Sequence, residues 1–318
     1  MYQVQRPSRS ESVPLRDQCY HLRRWGPALP ADTPAVLLHG WMDVSASWQF
    51  VVDALAQDRC LVAPDWRGFG RTRPRHTGTA PGPGRYGAAD HYAFADYLAD
   101  LDALLDHLNA EWGRDADSPV DLVGHSMGGN VAMLYGGVRP QRVRRLVNLE
   151  GFGMPASRPA QAPGRYTRWL DELKALQRGE LALKPYDSQD AVARRLIKTN
   201  PRLPQDRAHW LAGEWAAPDA QGRWHVLGDA AHKVVNPLLY RAEEVQAVWA
   251  RIQAPVLAVE ASDDSLGAWF KGDYTLAQYH ERLQVVPRHQ LAVVADAGHM
   301  LHHDQPQAVA RLLEDFIT

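Results

Sequence analysis

The sequence predicts an α/β protein: a mostly parallel sheet flanked on both faces by helices, with a helical insertion. Three observations predict this. Short apolar runs alternate with helix-like stretches before residue 151 and again after residue 252. Such alternation is the signature of strands joined by crossover helices. Between those limits the alternation stops, and helical patches mix with many prolines and with Trp169, Trp210, Trp215, Trp224 and Trp249. Finally, a G-x-S-x-G segment, Gly124-His125-Ser126-Met127-Gly128, sits between an apolar run and a long, mostly apolar helical segment.

Taken in order, Cys19 to Trp25 reads as an early strand ended by Gly26-Pro27. Ala35 to Leu38 is a short buried strand, and Ser47 to Ala56 has helical character. Leu61 to Ala63 is another strand, stopped by Pro64, and the turn from Asp65 to Arg71 is rich in glycine and charge. Residues 73–89 are dense in proline and glycine and predict an ordered loop or a flap. Phe94, Tyr97, Leu98, Leu101, Leu104, Leu105 and Leu108 recur at helical spacing with acids between them, which predicts an amphipathic helix. Val120 to Val123 then leads into the G-x-S-x-G turn and the segment from Asn130 to Val138. Arg145 to Leu149 is a strand followed by Glu150-Gly151. After the insertion come strands at Val256 to Glu260 and Leu291 to Ala295. Pro306 to Ile317 closes the chain as a helix, with Val309, Leu312, Leu313 and Phe316 on one face. The expected division is a core of 1–150 and 253–318, and a cap of 151–252 lying over one end of the sheet. The tryptophans of the cap are expected to be mostly its own core, with one or two lining a pocket.

Composition narrows the function. The chain has 318 residues, 45% hydrophobic and 23% charged, enough for one large domain with an inserted subdomain. A formal net charge of −2 gives no electrostatic footprint for nucleic acid or an anionic membrane. Cys19 and Cys60 make no disulfide framework and no metal spacing. Residues 1–14 are polar and carry no signal-peptide core, and no apolar run reaches membrane-spanning length. The expectation is a cytoplasmic protein without membrane or nucleic-acid partners, and the pattern does not speak to its oligomeric state. The 14 histidines form no ligand spacing, so neither a metal nor another cofactor is expected. The adjacent pair His302-His303 reads as a solvated loop.

The strand-turn-helix placement of Ser126 is what a nucleophile needs. A sharp turn at the carboxyl end of a strand exposes the hydroxyl, and Gly124 and Gly128 keep side chains out of the way. A free hydroxyl is a poor nucleophile, so a base, an orienter for that base and oxyanion donors are required. His299, in Asp296-Ala297-Gly298-His299 after the last strand, is the expected base. Asp264, in the loop after Val256 to Glu260, is the expected orienter; its neighbour Asp263 and the strand-end Glu150 are rivals. The expected oxyanion donors are the backbone N–H groups of Met127 and Trp41. The order Ser, Asp, His suits this architecture.

These segments resemble the α/β-hydrolase superfamily in its cap-bearing branch. Val36-Leu37-Leu38-His39-Gly40-Trp41 is similar to its oxyanion segment. Pro64-Asp65-Trp66-Arg67-Gly68-Phe69-Gly70 resembles its D-x-R-G-x-G turn, and residues 123–129 its nucleophile elbow. Pro255 to Val259, ending at Asp264, resembles its acid strand, and Ala297-Gly298-His299 its histidine loop. Ala261 and Ser265 depart from that acid loop, standing where Gly and Pro are common, and Ser126 stands where dehalogenases and most epoxide hydrolases of the family carry an aspartate. The resemblance implies an eight-stranded sheet with a helical cap, and a serine hydrolase cleaving small to medium carboxylic esters through an acyl-enzyme. The same groups would serve a lactonase, thioesterase, amidase or C–C bond hydrolase, and a non-catalytic receptor of the same fold is the alternative from another class.

Overall fold

The computed structural model describes residues 1–75 and 89–317. Its strands are β1 (Arg9–Leu15), β2 (Gln18–Trp25), β3 (Ala35–Leu38), β4 (Leu61–Pro64), β5 (Arg73–Pro74), β6 (Val120–His125), β7 (Val143–Leu149), β8 (Ala216–Pro218), β9 (Trp224–Val226), β10 (Val256–Ala261) and β11 (His289–Val294). Helices α1 (Gln49–Ala54), α2 (Phe94–Glu111) and α3 (Met127–Val138) belong to the first half. Then come α4 (Ala162–Gln177), α5 (Gln189–Thr199), α6 (Gln205–Trp215) and α7 (Ala242–Trp249). Helices α8 (Ser265–Phe270), α9 (Leu276–Leu283), α10 (Leu301–Asp304) and α11 (Pro306–Ile317) complete the chain.

The sheet runs β1-β2-β4-β3-β6-β7-β10-β11, with β5 paired to β2 beside that path. Pairs from β4 through β3, β6, β7 and β10 to β11 are parallel, while β2 runs antiparallel to β1, β4 and β5. The predicted α/β-hydrolase architecture, a mostly parallel sheet between helices, is therefore observed. Its strands read as continuous apolar runs because both faces are covered. Val36, Leu38, Leu122, Leu146, Val256 and Ala258 face one cluster, packed against α2, α3 and α9. Their neighbours Leu37, Val123, Val147, Leu257 and Val259 face the other, against α1 and α11. Each fully buried aliphatic side chain contributes about 1.5–3 kcal/mol.

The differences from expectation have local causes. β1 was not expected, because Arg9 to Ser12 are polar and exposed and only Val13 and Leu15 turn inward. It is an edge strand held by full-length pairing with β2. The predicted helix at Ser47 to Ala56 is split into a 3₁₀ turn, Ser45–Trp48, and α1. Pro64 closes β4 as its last residue instead of standing outside it. Of the Pro/Gly-dense stretch, residues 76–88 lie outside the described residues. His302 and His303 are not in a solvated loop; they are buried on α10.

The segment after Gly151 carries α4 to α7 and the β8–β9 hairpin. Helices α5 and α6 pack with Val44, Ala46 and Phe50 of the core. Trp249 and Ile252, at and after the end of α7, join the main core cluster. A Cβ at Gly137 of α3 would lie 2.0 Å from Val248 O, so α7 and α3 approach backbone to backbone. The last helix of the insertion is thus bound into the flanking layer of the sheet.

Candidate active site

The turn after β6 is strained as the motif requires. Ser126 has φ 52° and ψ −115°, outside the relaxed wells of a non-glycine residue. Its N–H donates to Leu149 O at 2.8 Å, anchoring the turn to the end of β7. A Cβ at Gly128 would lie 2.2 Å from Leu38 O, and one at Gly124 would lie 2.4 Å from the Gly128 backbone. Only glycine lets α3 start this close to β3 and β6.

The loop after β3 meets the same point. A Cβ at Gly40 would be 3.2 Å from Ser126 Cβ and 3.0 Å from His125 Nδ1. His39 fixes this loop: its Nε2 accepts from Trp66 N–H at 2.9 Å, and its Nδ1–H donates to Gly40 O at 2.7 Å. Burial lowers the His39 imidazole to about 4, so it stays neutral and can hold both bonds. On the other side Trp215 Nε1 donates to Met42 O at 2.9 Å, tying the loop to α6. Of the expected oxyanion residues, Trp41 follows Gly40 on this loop and lines the same cavity as Ser126, and Met127 opens α3. An N–H in a first turn has no intrahelical acceptor.

His299 lies in the loop between β11 and α10. Its Nδ1 is 3.2 Å from Glu150 Oε2. Glu150 leaves the end of β7 at φ 57°, its N–H bound to Val259 O and its Oε1 accepting from Ala261 N–H at 2.8 Å. Asn148 braces the following turn by receiving Gly151 N–H and donating to Gly151 O. Asp264, the expected orienter, is instead the N-cap of α8, where its carboxylate accepts from Gly267 N–H at 2.7 Å. Asp263 pairs with Arg202 at 2.7 Å. The expectation for the acid is therefore corrected: the structure brings Glu150 to His299 and leaves both aspartates elsewhere. Asp264 is spent on its helix because a carboxylate just ahead of a helix caps the free N–H groups of the first turn.

Burial dominates the electrostatics of the pair. It pushes the Glu150 carboxyl up, opposed by the Ala261 N–H and by Ser265. It pushes the His299 imidazole down, so the ring rests neutral, with a lone pair free to take a proton. The Trp269 ring stands edge-on to His299 at 4.2 Å. Sequence reasoning missed this residue; its signal is an aromatic side chain on α8, the short helix that follows the expected acid after β10.

Ser126, His299 and Trp269 line one cavity of about 640 Å³, together with Trp41, Leu196 and Trp215. Its wall joins the ends of β3 and β6 and the loop after β11 to α5 and α6. Trp215 meets the expectation that one or two insertion tryptophans line a pocket. Trp249 is core, and Trp210 packs on Tyr2 and Phe50.

A family model described as alpha/beta hydrolase fold matches residues 33–306. The chain is 27% identical over 300 residues to a serine hydrolase-like protein of Danio rerio, covering 92% of this chain and 83% of that one. It is 31% identical over 305 residues to a cis-3-alkyl-4-alkyloxetan-2-one decarboxylase of Shewanella oneidensis, covering 90% and 82%. The thioesterase domain of a curacin biosynthetic pathway superposes with a TM-score of 0.74 at 20% identity, covering 97% of this chain and 99% of the domain.

Proposed function

The chain belongs to the α/β-hydrolase fold family, and from that premise we propose that it is a serine hydrolase acting on carboxylic esters of small to medium size. The observation that carries this reading is Ser126 at φ 52° on the elbow, sharing a cavity with a neutral His299 that Glu150 orients. In this mechanism His299 takes the Ser126 proton as the hydroxyl attacks the ester carbonyl. The N–H groups of Trp41 and Met127 receive the oxyanion, a contribution of about 10²–10³ in rate per donor. Glu150 holds the Nδ1–H tautomer and offsets the imidazolium charge. His299 returns the proton to the leaving alcohol. It then activates a water, which releases the acyl group and regenerates Ser126.

The apolar, tryptophan-lined cavity favours an acyl or alcohol group of limited length. The insertion acts as its lid, no metal enters the chemistry, and the substrate is a small molecule. Among the described residues no helix is long and apolar enough to cross a membrane. A lactone, which is a cyclic ester, is the second reading, favoured by the relative whose name specifies an oxetan-2-one.

The test is turnover on p-nitrophenyl esters from acetate to decanoate, with a β-lactone, a thioester and an amide alongside. Ser126→Ala should keep the fold and lose turnover, and a fluorophosphonate probe should label Ser126. Labelling elsewhere, or full activity in the variant, overturns the nucleophile. Efficient cleavage of emulsified long-chain triglyceride with interfacial activation contradicts the size limit.

A further inference from the structure

Behind the serine lies a buried group of side chains that the hydrolytic mechanism does not use. Asp43, His125 and His302 each place one ligand atom within 4.8 Å of the others. All three side chains are buried. The sequence hid this cluster because its members come from three distant segments, the loop after β3, the end of β6 and α10, and share no local spacing.

The hydrogen bonds at its edge leave its atoms unpartnered. His125 donates Nε2–H to His299 O at 2.7 Å. Its ring is held neutral by burial, so Nδ1 keeps a lone pair, and that atom is buried without a partner. Asp43 Oδ1 accepts from Val44 N–H at 2.9 Å and from the Ser47 hydroxyl, whereas Asp43 Oδ2 is buried without a partner. His302 Nε2 is 4.0 Å from Asp43 Oδ2, its Nδ1 is unpartnered, and its ring centroid is 4.2 Å from that of His125. An imidazole that gives one N–H to a backbone carbonyl and keeps its other nitrogen free is how a histidine ligand is normally braced, and a carboxylate fixed through its second oxygen is braced likewise.

We propose that Asp43, His125 and His302 form an inhibitory site for a divalent transition-metal ion of the Zn²⁺ type. Two imidazoles and one carboxylate suit Zn²⁺, Co²⁺, Ni²⁺ or Cu²⁺ and not Mg²⁺ or Ca²⁺, which take oxygen ligands. Tetrahedral ligands about 2.0–2.1 Å from zinc stand about 3.3–3.4 Å apart, so the side chains must draw in by about 1 Å or somewhat more. Asp43 and His125 also border the cavity that holds Ser126 and His299, which is the route of entry. The ion inhibits because it sits behind the ring whose Nε2–H holds the His299 backbone. Drawing His125 toward the ion pulls on the bond from its Nε2–H to His299 O, and so displaces the base from Ser126. A water with three polar partners is the other occupant such a pocket accepts. It would leave the protein indifferent to the metal.

The binding arm of the test does not depend on the serine-hydrolase reading. Metal-stripped full-length protein is titrated with Zn²⁺ by calorimetry, as wild type, Ser126→Ala, His302→Gln and Asp43→Asn, each checked for folding by near-ultraviolet circular dichroism. Wild type and Ser126→Ala should each bind one equivalent, and His302→Gln should bind at least tenfold more weakly. Asp43→Asn gives the same reading should His302→Gln fail to fold. Co²⁺ should give the visible absorption of a four-coordinate site in wild type and lose it in the ligand variants. In the activity arm, Zn²⁺ should inhibit ester turnover reversibly in wild type and not in His302→Gln, while EDTA alone changes nothing. No stoichiometric binding in wild type, or equal binding in both ligand variants, overturns the site. Binding without inhibition overturns its inhibitory role alone.

Discussion

Glu150 and Asp264 are both carboxylates beyond the ends of neighbouring parallel strands, and the difference between them lies in backbone geometry. Glu150 turns at φ 57° straight off β7 and reaches His299, while Asp264 stands three residues beyond β10 and turns back onto α8. Glu150→Gln should therefore lower kcat by about 10²–10⁴, the range expected when an amide replaces the orienter. Asp264→Asn should leave kcat near wild type. A large loss in Asp264→Asn with Glu150→Gln near wild type would reverse the assignment. The pH profile carries the same logic. Protonating His299 removes the base and protonating Glu150 removes the orienter, so kcat/KM should rise with pH through the apparent pKa values of the pair. Glu150→Gln should change the position of that acid limb, and an unchanged limb would mean that another group sets it. The strand-end placement of Ser126 and His299 was legible because each sits in a short motif tied to a strand. The carboxylate that meets His299 was not, because a strand-end carboxylate looks the same whether it faces this cavity or caps a helix. The cue against Asp264 was present: Ser265-Leu266-Gly267-Ala268 after an aspartate is a helix start.

At the scale of elements, the elbow works because α3 begins almost in contact with β3 and β6. Gly128→Ala would drive a methyl group into the Leu38 carbonyl, 2.2 Å from the ideal Cβ, and that neighbour is strand backbone that cannot swing away. The variant should lose several kcal/mol of stability or fail to accumulate as folded protein, as overpacking against fixed backbone does. Gly164→Ala is the control, since a Cβ there meets nothing within 4 Å. Equal urea midpoints for the two variants would refute the close approach. The same physics decided which elements could be read. β3, β6, β7 and β10 are buried on both faces and announce themselves as apolar runs. β11 is an edge strand, with Leu291 and Val293 exposed, and was legible only from its composition. β1 is polar apart from Val13 and Leu15, and its existence depends on pairing with β2, which no local pattern encodes. α7 read as part of the insertion because it follows Pro-rich chain, yet its packing partner is α3.

For the molecule as a whole, the group of buried histidines sets how stability responds to acid. His39, His125, His232, His299, His302 and His303 are all pushed down by burial, His39 to about 4 and His232 and His303 to about 3. An unfolded histidine titrates near 6.5. Between about 6.5 and 4 the unfolded chain therefore takes up protons that the folded chain refuses, and stability falls as pH falls. Asp43, Asp121 and Glu150 act the other way. Burial raises them, so folding favours their protonated form and offsets part of the loss as pH drops below 7. Six depressed imidazoles against three raised carboxyls leave the histidines dominant. Asp65 enters later: burial raises it, but the His21 side chain, the Arg71 N–H and the other favourable partners together outweigh burial and hold it below the carboxylate range. Its contribution survives until the pH drops below about 4, the unfolded aspartate value. The expected outcome is a urea midpoint that declines steadily from pH 7 to pH 4.5 in wild type. His303→Gln, which removes one buried imidazole, should flatten that decline even if it lowers the midpoint at pH 7. A midpoint that holds or rises on acidification would mean that the depressed imidazoles do not dominate the acid response of the fold.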